Sequence, residues 1–271
     1  MPVIAWLLPY VSGVLTWPLF ERLFGFLFTE FRQRRSDVAA ARRVVGQQLD
    51  PLLKAADELH GKLRSLAEED FQDFREVPPT DLSVGQTVDL CSTLFLFAHF
   101  WARLEILRRE SFHAELTATA QGALLMAFLR SLESRRVRLV DRSWQRLIAE
   151  SVVIGDSMPY GTLRFTTFVE KYAGGDATKK WVQPLEEILR DTGRGLRRER
   201  QRARQRLLQY GVIVHAFIDT LDAKHRTTRE RPAYPNKLTR RAKRELIGRV
   251  FGEYLPGVSR RNVTKYTGIP L

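Results

Sequence analysis

Residues 94–107 read LFLFAHFWARLEIL, the most apolar stretch inside the chain. The run Leu94–Trp101 falls well short of the roughly 20 residues that cross a bilayer, and His99 and Arg103 interrupt it. Its apolar side chains occupy all sides of a helix instead of one stripe, the mark of a helix enclosed by others. Leu90–Leu107 therefore predicts the central helix of a bundle, with His99 a core histidine that has one nitrogen satisfied. The fold class follows: mainly α, an irregular helical bundle.

Upstream, Val38, Ala41, Val45, Leu49, Leu52, Ala56, Leu59, Leu63 and Leu66 recur in steps of three or four, which is one face of a helix over about 29–70. Proline lacks an N–H and disfavours helix before it, so Asp50-Pro51 predicts a break, with Asp50 capping a new helix. His60, among Glu58, Lys62 and Arg64, reads as a surface residue. Glu68, Glu69, Asp70 and Asp73 read as a solvated helix end. Glu76–Thr80, with Pro78-Pro79, is a break.

Downstream, a helix is expected over 117–134, a short strand at Val137–Val140, and a helix over 142–153 with Asp141 as its N-cap. Residues 154–163 read as a loop, Phe165–Tyr172 as a short helix, and Ala173–Asp176 as a turn. A long helix then starts near Lys180 with Pro184 in its first turn. Past the junction at Gly193 and Gly195, Leu207–Leu221 reads as packed helix. One more helix is expected over 238–254, and the last fifteen residues read as an extended tail.

Farthest out lies Val3–Phe20, VIAWLLPYVSGVLTWPLF, without a charge. As a helix it spans about 27 Å, close to the roughly 30 Å hydrocarbon layer. Trp6, Tyr10 and Trp17 suit membrane interfaces, and membrane helices tolerate Pro9 and Pro18. No basic residue precedes the run and no small-x-small site ends it, unlike a signal peptide. Arg22, Arg32, Arg34, Arg35, Arg42 and Arg43 follow it, so the positive-inside rule puts the N-terminus out and the body in the cytoplasm. The expectation is one N-terminal membrane-spanning or membrane-associated helix, single-pass, in the inner or plasma membrane. The chain divides into an anchor (1–28), amphipathic connecting helices (29–76), a helical core domain (77–225) and a basic C-terminal segment (226–271).

Charge is distributed unevenly. The whole chain is +13, yet residues 194–271 hold 20 Lys+Arg against 6 Asp+Glu, and the rest of the chain is close to neutral. Such asymmetry points to a polyanionic partner: membrane lipids, an acidic protein face or nucleic acid. The candidate polyanion-binding residues are Arg194, Arg197, Arg198, Arg200, Arg202, Arg204, Arg240, Arg241, Lys243 and Arg244. The arginines of 194–206 are spread around their helix.

No Walker A, GxGxxG, HExxH, nucleophile-elbow or CxxC pattern is present. One cysteine, Cys91, excludes a disulfide framework, and five scattered histidines give no metal-ligand spacing. No catalytic residue, metal or cofactor is assigned. Arg108–His113, RRESFH, resembles over six residues the Arg-x4-His signature of HEPN ribonucleases, which are all-helical and use the Arg and His at a dimer interface. The resemblance implies an alternative function, a nucleic-acid-binding or RNA-processing helical protein. Glu105 and Glu110 beside it read as ion-pair partners of Arg108 and Arg109. The leading expectation is a membrane-anchored, non-enzymatic interaction or scaffold protein.

Overall fold

The computed structural model describes residues 8–74, 84–112 and 114–270, with residues 8–25, 27 and 84 given as backbone alone. It is mainly helical, 74% helix with almost no sheet. The central helix is α2 (Val84–Glu110), buried on all sides through Leu94, Phe97, Phe100, Trp101, Leu104 and Leu107. It is the one helix among the described side chains long and apolar enough to cross a membrane, and 78% of its apolar window is buried, as a bundle core requires. His99 is half-buried, with Nε2 accepting from Arg103 Nε at 3.4 Å and Nδ1 unpartnered.

α1 (Leu8–Glu68) runs for 61 residues without a break, about 90 Å of helix. The expected interruption at Pro51 is absent. Proline in a helix interior costs about 3 kcal/mol, but Leu52, Leu53, Ala55 and Ala56 just beyond it are at most 2% exposed. Asp50, expected as a cap, accepts instead from Thr227 Oγ1 at 3.2 Å. Packing holds both sides of the proline in register. The apolar face expected from periodicity is the buried one from Ala41 to Leu66, with Leu49 partly buried. Before Ala41 no described side chain of α1 is buried, so this part of the helix stands clear of the body. The anchor run lies outside the described side chains.

After α2 come α3 (Ala120–Glu133), α4 (Arg142–Glu150), α5 (Phe165–Ala173), α6 (Ala177–Asp191) and α7 (Arg197–Leu221). Asp141 sits at the N-cap of α4 but makes no side-chain cap bond. Val137–Val140 is not a strand. Val137, Leu139 and Val140 are buried, but the carbonyls of Arg138 and Leu139 accept from the Arg206 guanidinium (3.2 and 2.6 Å), so a side chain serves where a neighbouring strand would. The ladder among the described residues is instead a hairpin in the stretch expected as loop: β1 (Val153–Ile154) pairs antiparallel with β2 (Gly161–Thr162).

α7 packs against α1 in the opposite direction. Arg204 lies over Phe71, just past the end of α1, at 5.5 Å. The rings of His215 and His60 stack with centroids 4.3 Å apart. After α7, the Asp222 carboxylate accepts from the N–H groups of Arg226, Thr227 and Thr228, each at 2.9 Å, and turns the chain back along α1. Arg231 then forks onto Asp57 (2.9 and 3.2 Å) and Lys237 reaches Asp70 (3.1 Å).

The C-terminal segment is folded. α8 (Arg240–Glu245) continues through a π-helical turn (Leu246–Phe251) into α9 (Gly252–Tyr254), and α10 (Arg260–Thr267) follows. The extended tail expected for the last fifteen residues is thus a capped helix. Ser259 accepts from the Asn262 N–H at its start, and Gly268, at φ 64°, closes it in the left-handed conformation that glycine adopts freely. Tyr266, fully buried against His215 and Phe251, fixes α10 to the core.

Candidate polyanion-binding site

Two segments far apart in sequence meet at the end of the body where α1 stops. Gln205 joins them: its Nε2 donates to the Lys237 carbonyl (3.0 Å), and its Oε1 accepts from the Thr239 N–H (2.8 Å). Thr239 in turn caps α8, its hydroxyl accepting from Ala242 N at 3.3 Å. This clamp lays α8 beside the first half of α7 and leaves a cleft of about 360 Å³ between them.

Arg198, Arg202 and Arg206 line one wall of the cleft, and Arg241 the other. The three α7 arginines are spaced four apart, so they form a stripe with about 6 Å of rise per step. The cleft runs on into a hollow lined by Arg135, Arg136 and Arg249. On the opposite side it joins a cleft of about 290 Å³ holding Arg194 with Asp191 and Glu199. Lys243, Arg240 and Arg244 border another opening beside Gly268. Glu245, inside the main cleft, is held by Arg241 (3.1 Å) and Gln209 (3.4 Å).

Most of the expected set therefore gathers at one end of the molecule. Arg204 departs from it: its Nε donates to the Thr192 carbonyl at 2.8 Å and its guanidinium covers Phe71. Arg197 and Arg200 lie off the stripe. Arg206, Arg249, Arg135 and Arg136 were not in the set. Tertiary packing alone brings Arg135, Arg136 and Arg249 to it, without a local signal. Spacing of four from Arg198 and Arg202 did point to Arg206.

A second polar group lies in the core. Asp219 Oδ2 accepts from Lys265 Nζ (2.8 Å) and Tyr266 OH (2.7 Å), and the Nε2 atoms of His215 and His225 approach Oδ1 at 3.5 and 3.6 Å. Burial opposes the charge, but His215, Lys265 and Tyr266 outweigh it and hold the carboxyl well below the usual range. His60, expected at the surface, is fully buried here with neither ring nitrogen bonded, because α1 is enclosed between α2 and α7 at this level. Burial, then His215 and Arg231, push its pKa well down. Among the described residues no three His, Cys, Asp or Glu side chains converge as metal ligands.

These histidines make stability depend on pH. Burial lowers His99 to about 4, and His60 shifts the same way. A depressed histidine binds protons more readily unfolded than folded, so stability is full above about pH 6.5 and falls with pH below it. Between pH 7 and 5, His99 alone removes about 2 kcal/mol. Urea unfolding at both pH values should show at least that loss, and His99→Gln should abolish its share.

Arg108, the arginine of the six-residue resemblance, is committed to Glu105 (3.1 Å) and to Glu133, while Arg109 reaches Glu150 at 3.4 Å. His113 lies outside the described residues. Comparison of the chain with known protein families, curated proteins and solved structures finds no match.

Proposed function

We propose that this chain is a membrane-tethered interaction protein. The apolar N-terminal run enters the bilayer with its N-terminus out, α1 serves as a stalk, and the helical body works in the cytoplasm with its arginine-lined cleft open to a polyanionic partner. The supporting observation is the free stretch of α1. Phe26, Phe28 and Phe31 are 67%, 62% and 55% exposed on a helix continuous with the apolar run. Arg32 lies over the Phe28 ring at 5.3 Å and Arg35 over Phe31 at 4.4 Å. Three exposed phenylalanines are costly in water and well placed at a headgroup boundary, with the arginines on the phosphate side. Cell fractionation tests the tether: the intact protein should stay with membranes through washes in high salt and carbonate. Its release by carbonate would end this reading.

A second reading, a nucleic-acid-binding or RNA-processing protein in which the N-terminal run is an interfacial or oligomerisation helix, draws on the same cleft. It predicts no carbonate-resistant membrane fraction.

A further inference from the structure

We propose that the cleft between α7 and α8 binds the phosphodiester backbone of a nucleic acid, and that it does so far from the bilayer that holds the anchor. The inference rests on the tether proposed above and names the partner.

Distance carries the first step. The cleft sits at the C-terminal end of α1, fixed there by Arg204 over Phe71 and by Lys237 on Asp70. From Phe28 to Leu66 the helix rises about 57 Å. That is several times the roughly 8 Å over which charges act at physiological salt. A stalk standing on its anchor removes the arginines from the field of that bilayer.

Shape and chemistry carry the second step. The arginines line a concave channel: Arg198 and Arg202 on one wall, Arg241 on the other, then Arg249, Arg135 and Arg136 beyond. A flat leaflet would meet the rims of such a channel and leave its walls unused, whereas a strand backbone can lie along it. The guanidinium fork matches phosphate oxygens in pairs. Among the described residues none of these six has an ion-pair partner except Arg241, whose partner is Glu245 on the next turn. The residues lining these two clefts include no aromatic ring on which a base could stack. Recognition therefore falls on the backbone, without base preference.

The full-length protein is placed in nanodiscs of zwitterionic lipid and titrated with a short labelled DNA or RNA duplex. With about five phosphates neutralised, affinity should fall some 500-fold between 50 and 200 mM salt, whatever the base sequence. Arg198→Gln/Arg202→Gln/Arg241→Gln should make that salt dependence shallower by about three powers of salt concentration. An equal charge loss on the free part of α1, Arg32→Gln/Arg34→Gln/Arg35→Gln, should leave it unchanged. Circular dichroism checks that both variants are folded. Absence of binding at low salt, or equal loss in the two triple variants, overturns the proposal. So does capture of phosphatidylserine vesicles without duplex binding, which would assign the cleft to a second membrane. A protein that binds duplex through the cleft but does not enter nanodiscs keeps the nucleic-acid assignment of the cleft and overturns both the tether and the separation from its bilayer.

Discussion

Asp219→Ala is expected to lower the free energy of unfolding by about 3–5 kcal/mol, the range for breaking a buried charge-assisted group from one side. Asp219 is 8% exposed and ties three parts of the chain together: α7, on which it lies, α10 through Lys265 and Tyr266, and the turn carrying His225. Its loss leaves the Tyr266 hydroxyl without an acceptor in a position closed to water, and the full desolvation penalty falls on that group. Lys265 has a way out, because its side chain is 36% exposed and can turn to solvent. Lys265→Met should therefore cost under about 1 kcal/mol. Urea unfolding followed by far-ultraviolet circular dichroism measures both. An Asp219→Ala protein within 1 kcal/mol of the native chain would show that α10 is held by apolar packing alone.

Trp101→Ala is expected to do more, about 5 kcal/mol. Trp101 is 1% exposed at the centre of α2 and packs against Phe97. Large-to-small substitutions of this kind cost about 3–5 kcal/mol through lost transfer energy and the cavity left behind. Trp101 adds a polar bond, its indole Nε1 donating to the fully buried Tyr210 hydroxyl at 2.7 Å, and alanine leaves that oxygen unpartnered. Against a typical total of about 5–15 kcal/mol, such a loss can exhaust the stability of the body. Two further variants separate the contributions. Trp101→Phe keeps most of the packing and orphans Tyr210, at about 1–3 kcal/mol. Adding Tyr210→Phe should recover much of that cost. If the double variant is no better than the single, the hydrogen bond contributes nothing measurable.

The bundle was legible where periodicity and composition spoke in one voice. The mainly apolar run of α2 and the Ala41–Leu66 face of α1 are the helices the chain packs together, and most of Leu207–Leu221 is buried as its composition required. Local signals failed where a distant partner outweighed them. Pro51 argued for a break, yet packing on both of its sides carries α1 through. His60 sits among charged neighbours in sequence, yet α7 covers it. Val137–Val140 has strand composition, but a guanidinium from α7 takes its carbonyls. α10 offered the weakest signal, since RRNVTKYT is nearly all polar and only Val263, Tyr266 and Thr267 are buried. For the cleft, the residue types were readable and their assembly was not. Nothing in the local sequence indicates that Gln205 will fasten the residue before α8 to the middle of α7.

The antiparallel return of α7 along α1 also sets a timetable for synthesis. Chains emerge N-terminus first, and domains generally close as units. α2 emerges onto α1, and α4 and α5 cover it next, but Phe97, Phe100 and Trp101 wait for Tyr210 and Phe217 of α7, about a hundred residues later. Even then Asp219 enters a site whose Tyr266 hydroxyl has yet to arrive. Through most of its translation, then, this protein lacks the helix that closes the aromatic centre of its core. A chain stopped between residues 258 and 265 would keep the core but for Val263 and Tyr266 and still lack Lys265 or Tyr266, the donors that Asp219 needs. Such fragments should be the ones that chaperones hold and proteases clear.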